Sequence, residues 1–123
     1  MSRLDGITIL QKGEKDQIAN GCDYGCVLEE SSCRRCGGQG DVVAGVMGVM
    51  NLWASRCEKM EVAPCYAAAL CTSTIVRRAS KRAFDEKKRA MSALDVIAKL
   101  PEVIDALVVC LKKHIIKTRF HSG

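Results

Sequence analysis

Aromatic residues are scarce in this chain: Phe, Trp and Tyr together make up 4% of its 123 residues. That is too few to build a platform on which bases stack. Positive charges do gather between residues 77 and 89, but without stacking partners they predict a solvated helix face and no nucleic-acid surface. Hydrophobic runs are short, none long enough to span a bilayer, so no membrane association is expected. The opening MSRLDGITIL lacks an apolar signal segment, which sets the expectation of a cytoplasmic chain, with mitochondrial targeting left open. Internal repeats and low-complexity tracts are also missing. Histidine occurs at His114 and His121, both in the tail, where neither gains a role.

The remainder is globular in balance. Apolar residues make up 48%, charged residues 27%, and the net charge is +5. At this length the chain is one domain at most and should bury about two thirds of its unfolded surface. Eight cysteines in a chain with no export signal point to thiols or metal ligands rather than a disulfide framework.

Strand signals come first and helix signals follow. Ile7–Leu10 is apolar on both faces and reads as a buried strand that calls for neighbours on either side; this chain supplies few, so its exposed side is expected to be a sticky edge. Residues 16–19 and 26–28 predict two further short strands, paired as a hairpin, with turn signals at Asn20-Gly21 and Asp23-Tyr24-Gly25. The run Val42–Trp53 is too long and too apolar for a strand, so a buried helix is expected over about 40–55. Pro64 is suited to the first turn of a second helix reaching about Arg82. A charged linker follows at 84–89. Ser92-Ala93-Leu94-Asp95 resembles a capping box and should start a short helix. Pro101 is expected to end that helix and open a last one, whose apolar face is Val103, Ile104, Leu107, Val108, Leu111 and Ile115. The fold class is thus α/β, with few short strands followed by about four helices.

The stretch that carries chemistry is Cys33-Arg34-Arg35-Cys36-Gly37-Gly38-Gln39-Gly40-Asp41. Its glycines precede a helix, where free amides and the helix dipole favour an anion, usually a phosphate. Asp41 falls in the first helical turn, where its carboxylate can face whatever those amides bind. Gly45 and Gly48 keep one helix face bare, at about 1 kcal/mol each against alanine, which suggests close packing of a neighbour or a ligand. The plainer alternative is a tight turn with Asp41 as a helix cap. Lys12, at the end of a strand, can reach a phosphate as a point charge. Arg77-Arg78-Ala79-Ser80 has the form of a basic-directed phosphorylation site, or of a solvated helix face. Cys22, Cys26, Cys33 and Cys36 open a further alternative, a small zinc-binding module.

The string from Arg34 to Gly45, RRCGGQGDVVAG, resembles the signature of the eukaryotic ATP-dependent NAD(P)H-hydrate dehydratase family, of the ribokinase-like superfamily. Leu10–Ile18, Tyr66-Ala67-Ala68 and the stretches around Arg89–Ser92 and Asp95–Ile97 are similar to it as well. The resemblance implies the C-terminal part of a ribokinase-like fold, with residues 1–123 as a single partial domain and 108–123 as a divergent basic tail. It implies a metabolite-repair lyase that uses ATP, with Mg²⁺, to dehydrate NADHX or NADPHX to NADH or NADPH, releasing ADP and phosphate. Lys12, Gly13, Glu14, Lys15 and Asp16 would lie along the ATP phosphates. Ser32, Cys33, Arg34, Arg35, Cys36, Gly37, Gly38, Gln39 and Gly40 would form the ATP loop, with the amides of Gly38, Gln39 and Gly40 as an anion hole. Asp41 would contact the hydrate and act as base on its hydroxyl. The partners implied are small molecules, with a homo-oligomer as a further option. A non-catalytic nucleotide-binding remnant is the alternative within the same family.

Overall fold

The computed structural model describes residues 6–21, 23–58 and 61–121, from residue 109 onward as helix backbone alone. Strands β1 (Ile9–Gln11), β2 (Asp16–Asn20) and β3 (Asp23–Val27) form one antiparallel sheet in the order β1-β2-β3. Helices α1 (Gln39–Ser55), α2 (Pro64–Lys87) and α3 (Ala93–His121) follow, with a 3-10 turn at Lys88–Ala90. The α/β class and the order of strands before helices are as the sequence predicts.

The β2–β3 hairpin forms with Asp16 opposite Val27 and Asn20 opposite Asp23. The turn signal at Asp23-Tyr24-Gly25 is overridden: these residues lie in β3. Gly25 is needed there, because a Cβ at this position would collide with the Tyr66 hydroxyl of α2. The exposed edge expected at Ile7–Leu10 is found, although its apolar side chains are less buried than their pattern suggests. Among the described residues β1 pairs with β2 alone, Ile7 is 50% and Ile9 49% exposed, and β1 is an edge strand.

Helix α2 is the centre of the molecule. Its small side chains Ala68, Ala69, Thr72, Ala79, Ser80 and Ala83 are all buried, which lets other elements approach closely. Ile18 and Val27 of the sheet pack on Tyr66 and Ala69. Val42, Val46 and Met50 of α1, with Val96 and Val103 of α3, pack with Ala68, Ile75, Val76 and Ala79. The buried hydroxyl of Thr72 donates to the Ala68 carbonyl at 2.8 Å, so it carries no unpaired donor into this core.

Two expected breaks do not occur. The charged linker at 84–89 is mostly helix: α2 continues to Lys87 because Ala83 and Phe84 still pack on the core. Lys88 then ends it with φ 53° and donates its N–H to the Phe84 carbonyl. Pro101 likewise does not divide two helices but lies within α3. Proline removes an N–H and crowds the preceding turn, at about 3 kcal/mol in a helix interior. Continuous packing of Val96, Leu100, Val103 and Leu107 against the helical core offsets this. The tail, expected as a basic extension, continues α3 to His121, while the side chains of Leu111 and Ile115 lie outside the described set.

The start of α3 is as expected. The Asp95 carboxylate accepts from the Ser92 N–H at 2.8 Å and from the Ser92 hydroxyl at 3.1 Å, the reciprocal half of a capping box.

Replacing Pro101 by Ala is expected to raise stability by about 2 kcal/mol, the helix cost less the unfolded-state entropy that proline saves; denaturant midpoints check this. A second expectation concerns pH. The Ser92 N–H holds the Asp95 pKa below its ordinary value. Its contribution is therefore present above the unfolded carboxylate pKa and is lost as pH falls through the folded one. Asp95→Asn should flatten the acid side of the melting-temperature profile, and an unchanged slope would contradict this.

Candidate functional site

The end of β1 and the start of β2 are joined by Lys12–Lys15, and β3 runs into Leu28–Arg35 before α1 begins. These two connections face each other across a cleft of about 480 Å³, floored by Val76, Arg77 and Ser80 of α2. Lys12, Gly13, Glu14, Lys15, Asp16, Ser32, Cys33, Arg34, Arg35 and Gln39 all line it. Residues far apart in sequence, marked for one ligand, therefore share one hollow. Lys12, Lys15, Arg34 and Arg35 are exposed and form no ion pair among the described residues, so four positive charges are available to an anion.

The connections are pinned to α2 by polar contacts. Asp16 is buried. Its carboxylate accepts from the Ser73 hydroxyl at 2.6 Å, the Gly13 N–H at 3.1 Å and Arg77 Nη1 at 3.0 Å. The Arg77 Nε donates to the Glu29 carbonyl at 2.7 Å, and its Nη2 donates to the Glu14 carbonyl at 2.5 Å. Arg78 binds the Glu29 carboxylate at 2.7 Å. Gln39 donates to Ser80 Oγ at 2.8 Å, which ties the first residue of α1 to α2. Arg77 is therefore no solvated residue, and Ser80, 1% exposed, is no accessible phosphorylation site. The role of Arg77, Ser73 and Ser80 was not drawn from the sequence. The available signal was their spacing, which puts three polar groups on one stripe of a helix otherwise rich in buried small residues.

The glycine loop itself divides. Cys36 packs partly against the helical core, and its carbonyl accepts the Gln39 N–H at 3.4 Å. Gly38 caps α1 with φ 88°, and a Cβ there would lie 3.2 Å from the Ala93 side chain of α3. Glycine is thus needed at position 38 for its backbone angle and for the approach of α3. Gly37 and Gly40 border open space. Among the described residues the Gly40 and Asp41 amides have no hydrogen-bond acceptor. Together with the Gly38 amide, these are the open donors of the helix end, while Gln39 uses its own in the turn.

Asp41 lies on the other side of α1. It is exposed and lines a second, apolar hollow of about 590 Å³ between α1 and α3, with Gly45, Val49, Ile97 and Ile104 among its walls. Gly45 borders open space there, and Gly48, outside that lining, also meets no neighbour among the described residues. The first turn of α1 thus separates a cationic cleft from an apolar groove.

Among the described residues no three His, Cys, Asp or Glu side chains converge as a metal site. Cys26, Cys33 and Cys36 therefore do not assemble the zinc module, and Cys22 lies outside the described residues. No described helix is long and apolar enough to cross a membrane.

A family model described as NAD(P)H-hydrate dehydratase matches residues 2–102. The chain belongs to the NAD(P)H-hydrate dehydratase family. Several relatives carry the name ATP-dependent (S)-NAD(P)H-hydrate dehydratase. One from Entamoeba histolytica is 37% identical over 83% of this chain and 34% of its own length. One from Rattus norvegicus is 40% identical over 79% of this chain and 29% of its own. One from Arabidopsis thaliana is 35% identical over 84% of this chain and 29% of its own. The chain therefore spans about a third of the length of the curated relatives it matches. Within this dehydratase family segment, the cleft and the whole glycine loop fall inside the matched residues, as does the lining of the apolar groove except Ile104.

Gly38→Ala is expected to destabilise the chain by about 1–2 kcal/mol, through left-handed backbone strain and contact with Ala93. Gly37→Ala, which meets no neighbour, should change stability by less than about half of that. Thermal or urea unfolding of the two variants checks the contrast.

Proposed function

We propose that this chain supplies the nucleotide cleft and the acid of an ATP-dependent NAD(P)H-hydrate dehydratase, restoring NADH or NADPH from its hydrate. The observation that carries this is the position of the α1 N-terminus: Gln39 lines the cationic cleft, and Asp41, two residues on, lines the apolar groove. Phosphoryl transfer needs alignment and charge neutralisation more than covalent help from the protein. Lys12, Lys15, Arg34 and Arg35 hold the triphosphate. The open amides of Gly38, Gly40 and Asp41 stabilise charge on the transferring phosphoryl group. The apolar groove takes the hydrated nicotinamide ring, and Asp41 accepts the proton of the ring hydroxyl as its oxygen attacks the γ-phosphorus and ADP leaves. The ring C–O bond then breaks, phosphate departs with the bonding pair, and a proton is lost from the adjacent ring carbon to form the double bond of the reduced ring.

Mg²⁺ suits this donor set in one limited way. It is commonly held by one or two carboxylates together with substrate phosphates. Glu14 and Glu30 are cleft carboxylates outside any ion pair among the described residues. They are the groups that would hold the ion, which supplies neutralisation of the phosphate charge.

The test is recovery of the reduced-ring absorbance from NADH hydrate with ATP and Mg²⁺, beside calorimetric ATP binding. Asp41→Asn should lower turnover by about 10²-fold or more while ATP affinity stays within about threefold. An unchanged rate in this variant removes Asp41 as the base. ATP binding without any turnover by the unmodified chain favours the second reading, a nucleotide-binding remnant.

A further inference from the structure

Arg77 holds both walls of the cationic cleft at once, and nothing so far has assigned it a part in ligand binding. On one wall its guanidinium donates to the Glu14 and Gly13 carbonyls and to the Asp16 carboxylate. On the other it donates to the Glu29 carbonyl, where the chain leaves β3 for the loop carrying Arg34 and Arg35. The side chain is 12% exposed and that of its Asp16 partner 7%, so these bonds are little weakened by water. A planar guanidinium presents five donors in a fixed fork. Only such a group can serve the two walls from one side chain. The ammonium of a lysine is a single point and would have to choose between them.

We infer that Arg77 is a positioning residue for the polyphosphate: it fixes the distance between the wall bearing Lys12 and Lys15 and the wall bearing Arg34 and Arg35, and so sets how tightly the triphosphate is held. This rests on the nucleotide reading of the cleft. Its own bonds are spent on backbone carbonyls and on Asp16, so its action on a ligand is through the four free cations.

Arg77→Lys tests it, because the charge is kept and the fork is lost. Two measurements are made on the chain at a temperature where every variant is folded. Amide hydrogen exchange of the ligand-free chain should quicken at least about tenfold at Gly13, whose N–H is bonded to Asp16, and along the β2–β3 pairing that ends at Asp16 and Val27, while amides of α1 and α3 keep their rates. ATP affinity by calorimetry should fall at least about tenfold. Ser73→Ala, which removes one partner of Asp16 and leaves Arg77 in place, should move both readouts in the same direction by less. Val103→Ala, a core change remote from the cleft, serves as the stability control and should leave ATP affinity at the unmodified value. Unchanged exchange on either wall overturns the inference, as does ATP affinity in Arg77→Lys equal to that of the unmodified chain. If the unmodified chain fails to bind ATP while the two walls loosen together in Arg77→Lys, the nucleotide reading fails and the coupling of the walls by Arg77 stands. Should Arg77→Lys not fold, Ser73→Ala with unchanged exchange at Gly13 overturns the inference by itself.

Discussion

The ion pair between Asp16 and Arg77 is the contact on which the arrangement of this chain depends. It joins the first residue of β2 to the middle of α2, and so fixes the sheet against the helix that everything else packs on. Burying two charges is costly, and an apolar pair of the same shape is often as stable. What this pair supplies is a defined geometry. The Asp16 carboxylate has three partners from two segments, and the guanidinium uses its remaining donors on carbonyls of the Lys12–Lys15 connection and of one further segment, at Glu29. Such a network is satisfied in one arrangement, and removing one member leaves a buried charge without its partner.

The same helix carries a different kind of constraint on its other faces. Alanine, serine and threonine side chains let α1 and α3 approach α2, and close approach carries the start of α1 to the rim of the cleft. Gln39 then reaches Ser80, one helical turn from Arg77. Packing by small residues and bonding by polar ones are therefore two uses of one helix. The first sets where α1 lies along α2. The second sets where the two connections lie relative to α1.

Much of this was legible in the sequence, and the parts that were not share a cause. Val42–Trp53 announced α1 through sustained apolarity, Pro64 announced the start of α2, and Ser92 with Asp95 announced the start of α3, because each signal acts within a few residues. The glycine loop and Lys12–Asp16 were identified through resemblance, and the structure brings most of them to one cleft. What failed was judged locally but decided by tertiary contact. Pro101 should break a helix, yet packing of Val96, Leu100 and Val103 carries α3 through it. Gly25 looked like a turn residue, yet it lies in a strand because Tyr66 needs the space. Ile7–Leu10 is apolar on both faces and yet half exposed at an edge, which only the shortage of strands in the chain foretold. Arg77 looked like one more charge in a basic cluster, and its partners lie 48 to 64 residues away in sequence.

Asp41 shows how the two halves of the proposed site relate. Successive side chains on a helix diverge by about 100°, so residues 39 and 41 point to different sides of the same first turn. Gln39 consequently faces the cations and Asp41 faces the apolar groove, with the open amides of the helix end between them. Gly45, one turn beyond Asp41, lines that groove; among the described residues no atom outside the local helix backbone comes within 4 Å of where a Cβ on Gly45 or Gly48 would be. Two glycines cost about 2 kcal/mol in helix propensity against alanine, with no contact among the described residues to offset it. On the proposed function that cost has a use. A bare helix face lets a flat ring lie against backbone beside the carboxylate that takes its proton, while the phosphates stay on the cationic side of the same turn.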